Sequence, residues 1–324
     1  MDMKTSAPKP IVLAVVIAAC VAAWVSSQSG LFTPDATAQP PKTSTSKSAA
    51  ADALAKDCRT KAAALRKQLD KDFLILVQPP FVIAGDMDAQ TLANHAKWSI
   101  HRPAKAMWSS YFKSQPDQAI TVLFLSDEGM KPYGEDKEPG FVYRHWARKL
   151  FNDSDLSPYG YYMPSSQTMV MNIDTGGGTL VHELTHALIV YDFPAVSDWF
   201  NEGLGSLHEQ CTVNENEVVG LENWRLPALQ KAITAGKLRS LKDLVTRDDF
   251  RGRLEGMNYA QARYFVMYMQ SKGLLKDFYA RYRDNHEGDA AAVKAIEKVF
   301  GKKIDEIEKG FVAYVKTLHF PPRP

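Results

Sequence analysis

The spacing of apolar and polar positions changes period along the chain. From Ala49 to Asp70 an alanine- and lysine-rich stretch without Gly or Pro reads as a helix by propensity. Two short apolar runs follow, "FLILV" at 73–77 and "FVIAG" at 81–85, split by Pro79-Pro80 and read as strands. Helical character returns from Asp88 to Phe112, with Pro103 expected to break or kink it. "AITVLFLS" at 119–126 has the length and continuity of a buried strand, and "QTMVMNID" at 167–174 is another. Between them, Gly, Pro and Asp mark residues 127–160 as loop. Beyond residue 176 the period is helical, predicting helices at 177–191, 199–211, 222–235, 258–272, 274–285, 289–299 and 303–317. The pattern predicts an α+β body, with a mixed α/β N-terminal half over 51–175 and an all-helical half over 176–324. A cleft between two such halves is a common place for a site.

The N-terminus departs from this pattern. Lys4 and Lys9 precede an unbroken apolar run from Ile11 to Val25, which at about 1.5 Å per residue spans roughly 22 Å. A bilayer core is about 30 Å thick, so the run suits a secretory signal or a short anchor within residues 1–30. "IAAC" at 17–20 also resembles a bacterial lipobox ending in Cys20. Every version implies export, to a periplasmic or extracellular place, with residues 11–25 tethering the chain to the inner membrane if they are retained. Residues 31–50, rich in Pro, Ser, Thr and Ala, read as a flexible linker.

Composition narrows the function only by exclusion. The 324 residues are 45% apolar and 23% charged, ample for one large domain or two modest ones. With 39 basic and 37 acidic residues and no basic stripe, the chain offers nothing to a nucleic acid. Apart from Cys20, Cys58 and Cys211 remain, and an oxidising compartment would allow a disulfide between them, with two unpaired thiols as the alternative.

Chemistry enters with "GGGTLVHELTHAL" at 176–188. On a helix, His182 and His186 lie about 400° apart in rotation, so both imidazoles leave one face and can reach one ion. Glu183 is turned about 100° from His182, away from the ion but toward a water that it could hold. The glycines permit a sharp entry into the helix, and Thr179 is a candidate cap. Such a spacing arises by chance in roughly one chain of this composition in a hundred, so a third ligand is needed. Glu202 meets that need, near the start of a second helix in "SDWFNEGLGSLHE" after a turn at Pro194. Antiparallel packing of the two helices would face it toward the histidines, giving the His2Glu set of catalytic zinc sites.

"HELTHAL" followed by "WFNEG" resembles the gluzincin zinc metallopeptidases, specifically the peptidase MA-like group. Weaker likenesses lie in "YGYYMP", "TMVMNI" and "NYAQARYFVMYM", so the resemblance covers roughly 72–285. It implies a thermolysin-like zincin core, zinc on His182, His186 and Glu202, and Glu183 as general base. It also implies an edge strand for an extended peptide, expected at 168–173. An oxyanion donor is implied from the helical half; Tyr259 is chosen, with Tyr264 and His208 as competitors. Two departures stand out. Relatives often carry an acid four positions after the ligand glutamate, where this chain has Ser206, leaving Glu209 or the Ser206 hydroxyl to orient a histidine. The glutamate of the aminopeptidase signature Gly-x-Met-Glu-Asn is missing from "TMVMN", which argues against an aminopeptidase and toward an endopeptidase or an unassigned specificity.

The sequence therefore predicts an exported zinc metallopeptidase acting on peptides or proteins. The alternatives are a membrane-tethered, zinc-stabilised module that does not catalyse, and a hydrolase of cell-wall amides. Histidines 95, 101, 145, 286 and 319 read as surface or satisfied core residues.

Overall fold

The computed structural model describes residues 43–126, 141–151, 157, 159–214 and 216–320. The apolar run at 11–25 lies outside them; among the described residues no helix is long and apolar enough to cross a membrane. The described residues from Ser44 onward form one packed unit.

Five strands make the framework: β1 Leu74–Gln78, β2 Phe81–Gly85, β3 Ile120–Leu125, β4 Gly160–Met163 and β5 Thr168–Asn172. Their order is β1-β2-β3-β5-β4. The three inner strands run parallel, while β1 pairs antiparallel with β2, and β4 antiparallel with β5. Inner strands covered on both faces read as near-continuous apolar runs, and β2, β3 and β5 are buried throughout. Phe81, Ile83, Val122, Phe124, Met169 and Met171 enter the larger core with the helices of the second half. Ala84, Leu123, Leu125 and Val170 face the other way, against Phe73, Tyr143 and Trp146.

Helix α1 (Thr43–Gln68) begins six residues before the predicted start, inside the stretch read as linker. Once the alanine-rich centre has nucleated, adding Ser and Thr residues at its end is inexpensive. Asp57 accepts from the Ala119 amide and Lys61 donates to the Ala119 carbonyl, docking α1 at the start of β3. The predicted helix at 88–112 forms as α2 (Ala89–His95) and α3 (Arg102–Ser110), joined by a π turn at Ala96–His101. Pro103 cannot donate to the ladder, and the widened turn accommodates the missing bond without ending the helix.

The expected loop at 127–160 contains α4 (Phe141–Phe151). Its stripe of Tyr143, Trp146, Ala147 and Leu150 packs on the sheet, a helical period obscured by the flanking Gly and Pro. The second half is likewise not all helical. Between α6 (Asp198–His208) and α7 (Leu226–Thr234) lies a hairpin of β6 (Cys211–Val213) and β7 (Val218–Gly220). It replaces the end of the helix predicted to run to 211, since α6 stops at His208, just before Glu209, whose largely buried side chain is held by Arg225. Helices α8 (Leu241–Thr246), α9 (Glu255–Ser271), α10 (Leu275–Asn285), α11 (Val293–Phe300) and α12 (Ile304–Thr317) complete the unit.

Cys58 and Cys211 are unbridged. Cys58 is buried under α1 with Val82 and Ala119, whereas Cys211 packs on the separate, larger core, so the disulfide allowed by the sequence does not form.

Candidate metal centre

Strand β5 delivers the chain to helix α5 (Gly178–Asp192) through a short 3-10 turn. Gly176 takes a left-handed φ of 97°, and the α-carbon of Gly178 lies so close to the Glu209 carbonyl that a β-carbon would collide. The helix starts at Gly178 without a side-chain cap, so Thr179 falls inside it rather than capping it. Leu180, Leu184, Ala187 and Leu188 are buried, making α5 a central helix packed on β4, β5 and α6.

His182 and His186 stand with ring centroids 4.6 Å apart. After α5 ends at Asp192, α6 returns Glu202 to the same place. Its Oε2 lies 3.3 Å from His182 Nε2 and 3.5 Å from His186 Nε2. The three ligand atoms all lie within 4.8 Å of one another. Glycine at 205 makes this approach possible: a β-carbon there would sit 3.1 Å from both His182 Nε2 and His186 Cε1.

Both histidines are held from behind. His186 Nδ1 meets Asn201 Oδ1 at 2.9 Å, and His182 Nδ1 faces Glu209 Oε1 at 3.4 Å. Each partner fixes its ring with Nε2 toward the centre. Glu209 is itself clamped by the Arg225 guanidinium at 2.8 and 3.0 Å and by Asn223 Nδ2 at 3.2 Å. Of the two groups the sequence left open, Glu209 faces His182, while the Ser206 hydroxyl is buried without a partner.

Burial opposes charge at all three acidic and basic members, and the cluster reverses that tendency. Glu202 and Glu209 raise the pKa of His182 well above its ordinary value despite desolvation. The Glu202 carboxyl is held far below the carboxylate range by the two histidines. Glu209 is likewise pushed down to about 2, by His182 and Arg225.

A divalent ion fits this arrangement. Glu202 is 3% exposed, and its Oε2 is buried with no well-directed hydrogen bond, aimed at two imidazole nitrogens. A buried carboxylate oxygen in that condition lacks a partner, and two nitrogens with one oxygen match the donor preference of zinc. Glu183 is half-buried beside His182, without a hydrogen-bond partner among the described residues.

The candidate donors separate by position. Tyr259, on α9, accepts from Arg251 Nη1 at 3.2 Å, and burial together with the Glu202 charge raises its pKa. Tyr264 is buried elsewhere, its hydroxyl bonded to the Asn223 backbone. His208 is fully buried against Thr185 at 2.8 Å, where burial pushes its pKa down to about 3. The structure thus brings Tyr259 to the cluster and leaves the other two in the core. Histidines 95, 101 and 286 make ring contacts with core phenylalanines instead.

Sequence reading missed Asn201, Gly205, Asn223, Arg225 and Arg251. Asn201 and Gly205 sit within the helix that carries Glu202, and helical spacing could have exposed them. The other three come from distant loops. No family model matches the chain, and no curated protein matches it either.

Proposed function

We propose that this chain is an exported zinc metallopeptidase of the gluzincin, peptidase MA-like kind, built on a thermolysin-like core and acting as an endopeptidase. The observation that carries the reading is the convergence of His182, His186 and Glu202 on one point, with Glu183 next to His182 on the same helix. A zinc ion bound there would supply a Lewis acid that polarises the scissile carbonyl and acidifies a water. Glu183 then takes the proton of the attacking water and returns it to the departing amine nitrogen. The Tyr259 hydroxyl donates to the oxyanion that develops on the carbonyl oxygen.

The substrate strand needs one revision. β5, expected to be the edge, is paired on both sides, because "GYYM" at 160–163 forms β4 alongside it. Among the described residues β4 is therefore the outermost strand on this side of the sheet, next to α5, and an extended peptide would run along it there. Export rests on the basic start and the apolar run at 11–25.

The test joins metal content to cleavage. The full chain should carry about one zinc and cut a peptide library in a chelator-sensitive way. Glu183→Gln should keep the zinc and lose at least about 10³-fold in kcat, the upper part of what general-base catalysis supplies. Metal without any cleavage, or full activity in that variant, would falsify the assignment.

A further inference from the structure

Among the described residues, Arg251 is the cation that hydrogen-bonds both the third ligand and the candidate donor. It stands in the loop between α8 and α9, which is fixed on either side of it. Phe250 is buried against the Tyr259 ring at 5.3 Å between centroids, and its carbonyl accepts from Asn258 Nδ2 at 2.7 Å. Asp249 is held by Arg239 at 2.7 Å. From this anchored loop the guanidinium reaches inward, bonding Glu202 Oε1 through Nη2 and the Tyr259 hydroxyl through Nη1. Asp198 and Glu255 lie further off, at 3.8 and 3.9 Å.

We propose that Arg251 is a positioning residue that makes Glu202 a one-oxygen ligand and turns Tyr259 into a donor. This rests on the metallopeptidase reading above. A carboxylate with both oxygens free can rotate or chelate through both, which lengthens its bonds and crowds the position left for water and substrate. Here Oε1 is occupied by a planar fork, so only Oε2 is presented to the histidine side. The same fork settles the phenol. Arginine has no lone pair to accept with, so Tyr259 must accept from it. The phenol proton is thereby directed to the Glu202 side, where it bonds the carboxylate and can pass to an oxyanion that develops there. Arg251 touches neither the three-atom ligand point nor a reacting atom; it acts through Glu202 and Tyr259. Lysine could replace the charge at one of these partners but not span both, because it lacks the fork.

The experiment compares the full chain with Arg251→Ala and Arg251→Lys. Zinc affinity is measured by competition with a chromogenic chelator, coordination by the visible spectrum of the cobalt-loaded protein, and folding by circular dichroism of the metal-free form. Arg251→Ala should bind zinc about 10–100-fold more weakly. Its cobalt spectrum should also change in intensity, which a purely structural loss would not produce in a folded protein. Arg251→Lys should recover zinc affinity to within several-fold yet keep a depressed kcat with little change in KM. Wild-type zinc affinity and an unchanged cobalt spectrum in both variants would overturn the proposal while leaving the metallopeptidase reading intact. If Arg251→Ala does not fold, Arg251→Lys decides alone: wild-type kcat in that variant overturns the proposal. A wild-type chain that takes up neither zinc nor cobalt sinks the underlying reading, and this inference with it.

Discussion

A carboxylate removed from water ordinarily holds its proton more tightly, yet Glu209 does the reverse. Arg225, Asn223 and His182 together offer it more than the lost hydration. Its folded pKa, about 2, lies below the unfolded value of about 4.5, so its contribution to stability is complete above pH 4.5 and disappears as pH falls toward 2. In metal-stripped protein, Glu209→Gln should therefore cost about 1–3 kcal/mol at neutral pH, as expected for a buried hydrogen-bonded charge. The gap to the wild type should close between pH 4.5 and 2 in urea titrations. A gap of constant size across that range would mean that Glu209 matters for packing and not for charge. Glu209 shows how far a residue's role can be read from its neighbours in sequence. The acid was visible near the motif, but Arg225, which fixes it, arrives after an unforeseen hairpin.

At the level of elements, the centre depends on how closely α5 and α6 approach. Gly205 sets that distance, with His182 and His186 where a side chain would stand. Gly205→Ala should favour the helix by about 1 kcal/mol on propensity alone. It should nevertheless weaken zinc binding at least tenfold, because an orienting shift of either imidazole is enough to do so. Chelator competition alongside circular dichroism separates the two effects, and undiminished affinity would show that the helices can move apart at no cost to the site. The elements most legible in the sequence were those whose period matched their burial. β2, β3 and β5 are buried at every position and mostly apolar because helices cover both faces, and α5, α6, α9, α10 and α12 lie close to their predicted spans. The misses have local causes. β4 is a short edge strand whose residues are only partly covered, so neither alternation nor a continuous run marks it. β6 and β7 are held from outside: the Gln270 side-chain amide bonds both the N–H and the carbonyl of Gly220. Arg263 binds the carbonyls of Ser206 and Leu221 at the base of the hairpin. Those anchors lie on α9, dozens of residues away, where local pattern carries no trace of them.

Across the whole molecule, the groups around the centre come from very different chain distances. The edge strand, Arg225, Arg251 and Tyr259 depend on the completed tertiary structure. So does Asp192, at the end of α5, which accepts from the Lys113 and Ser114 amides, Tyr279 and Arg283. The three converging candidate ligands do not. They lie within residues 182–202, on two helices joined by one short turn. Bringing such close positions together costs little loop-closure entropy, since that cost grows with the logarithm of the intervening length. The proposed zinc could therefore be captured while the remote loops are still unfolded, and binding before completion would make it a template for folding as well. Zinc added during refolding from urea should accelerate the appearance of helical signal in stopped-flow circular dichroism. A folding rate independent of zinc, with binding only afterwards, would place the ion as the last component to arrive.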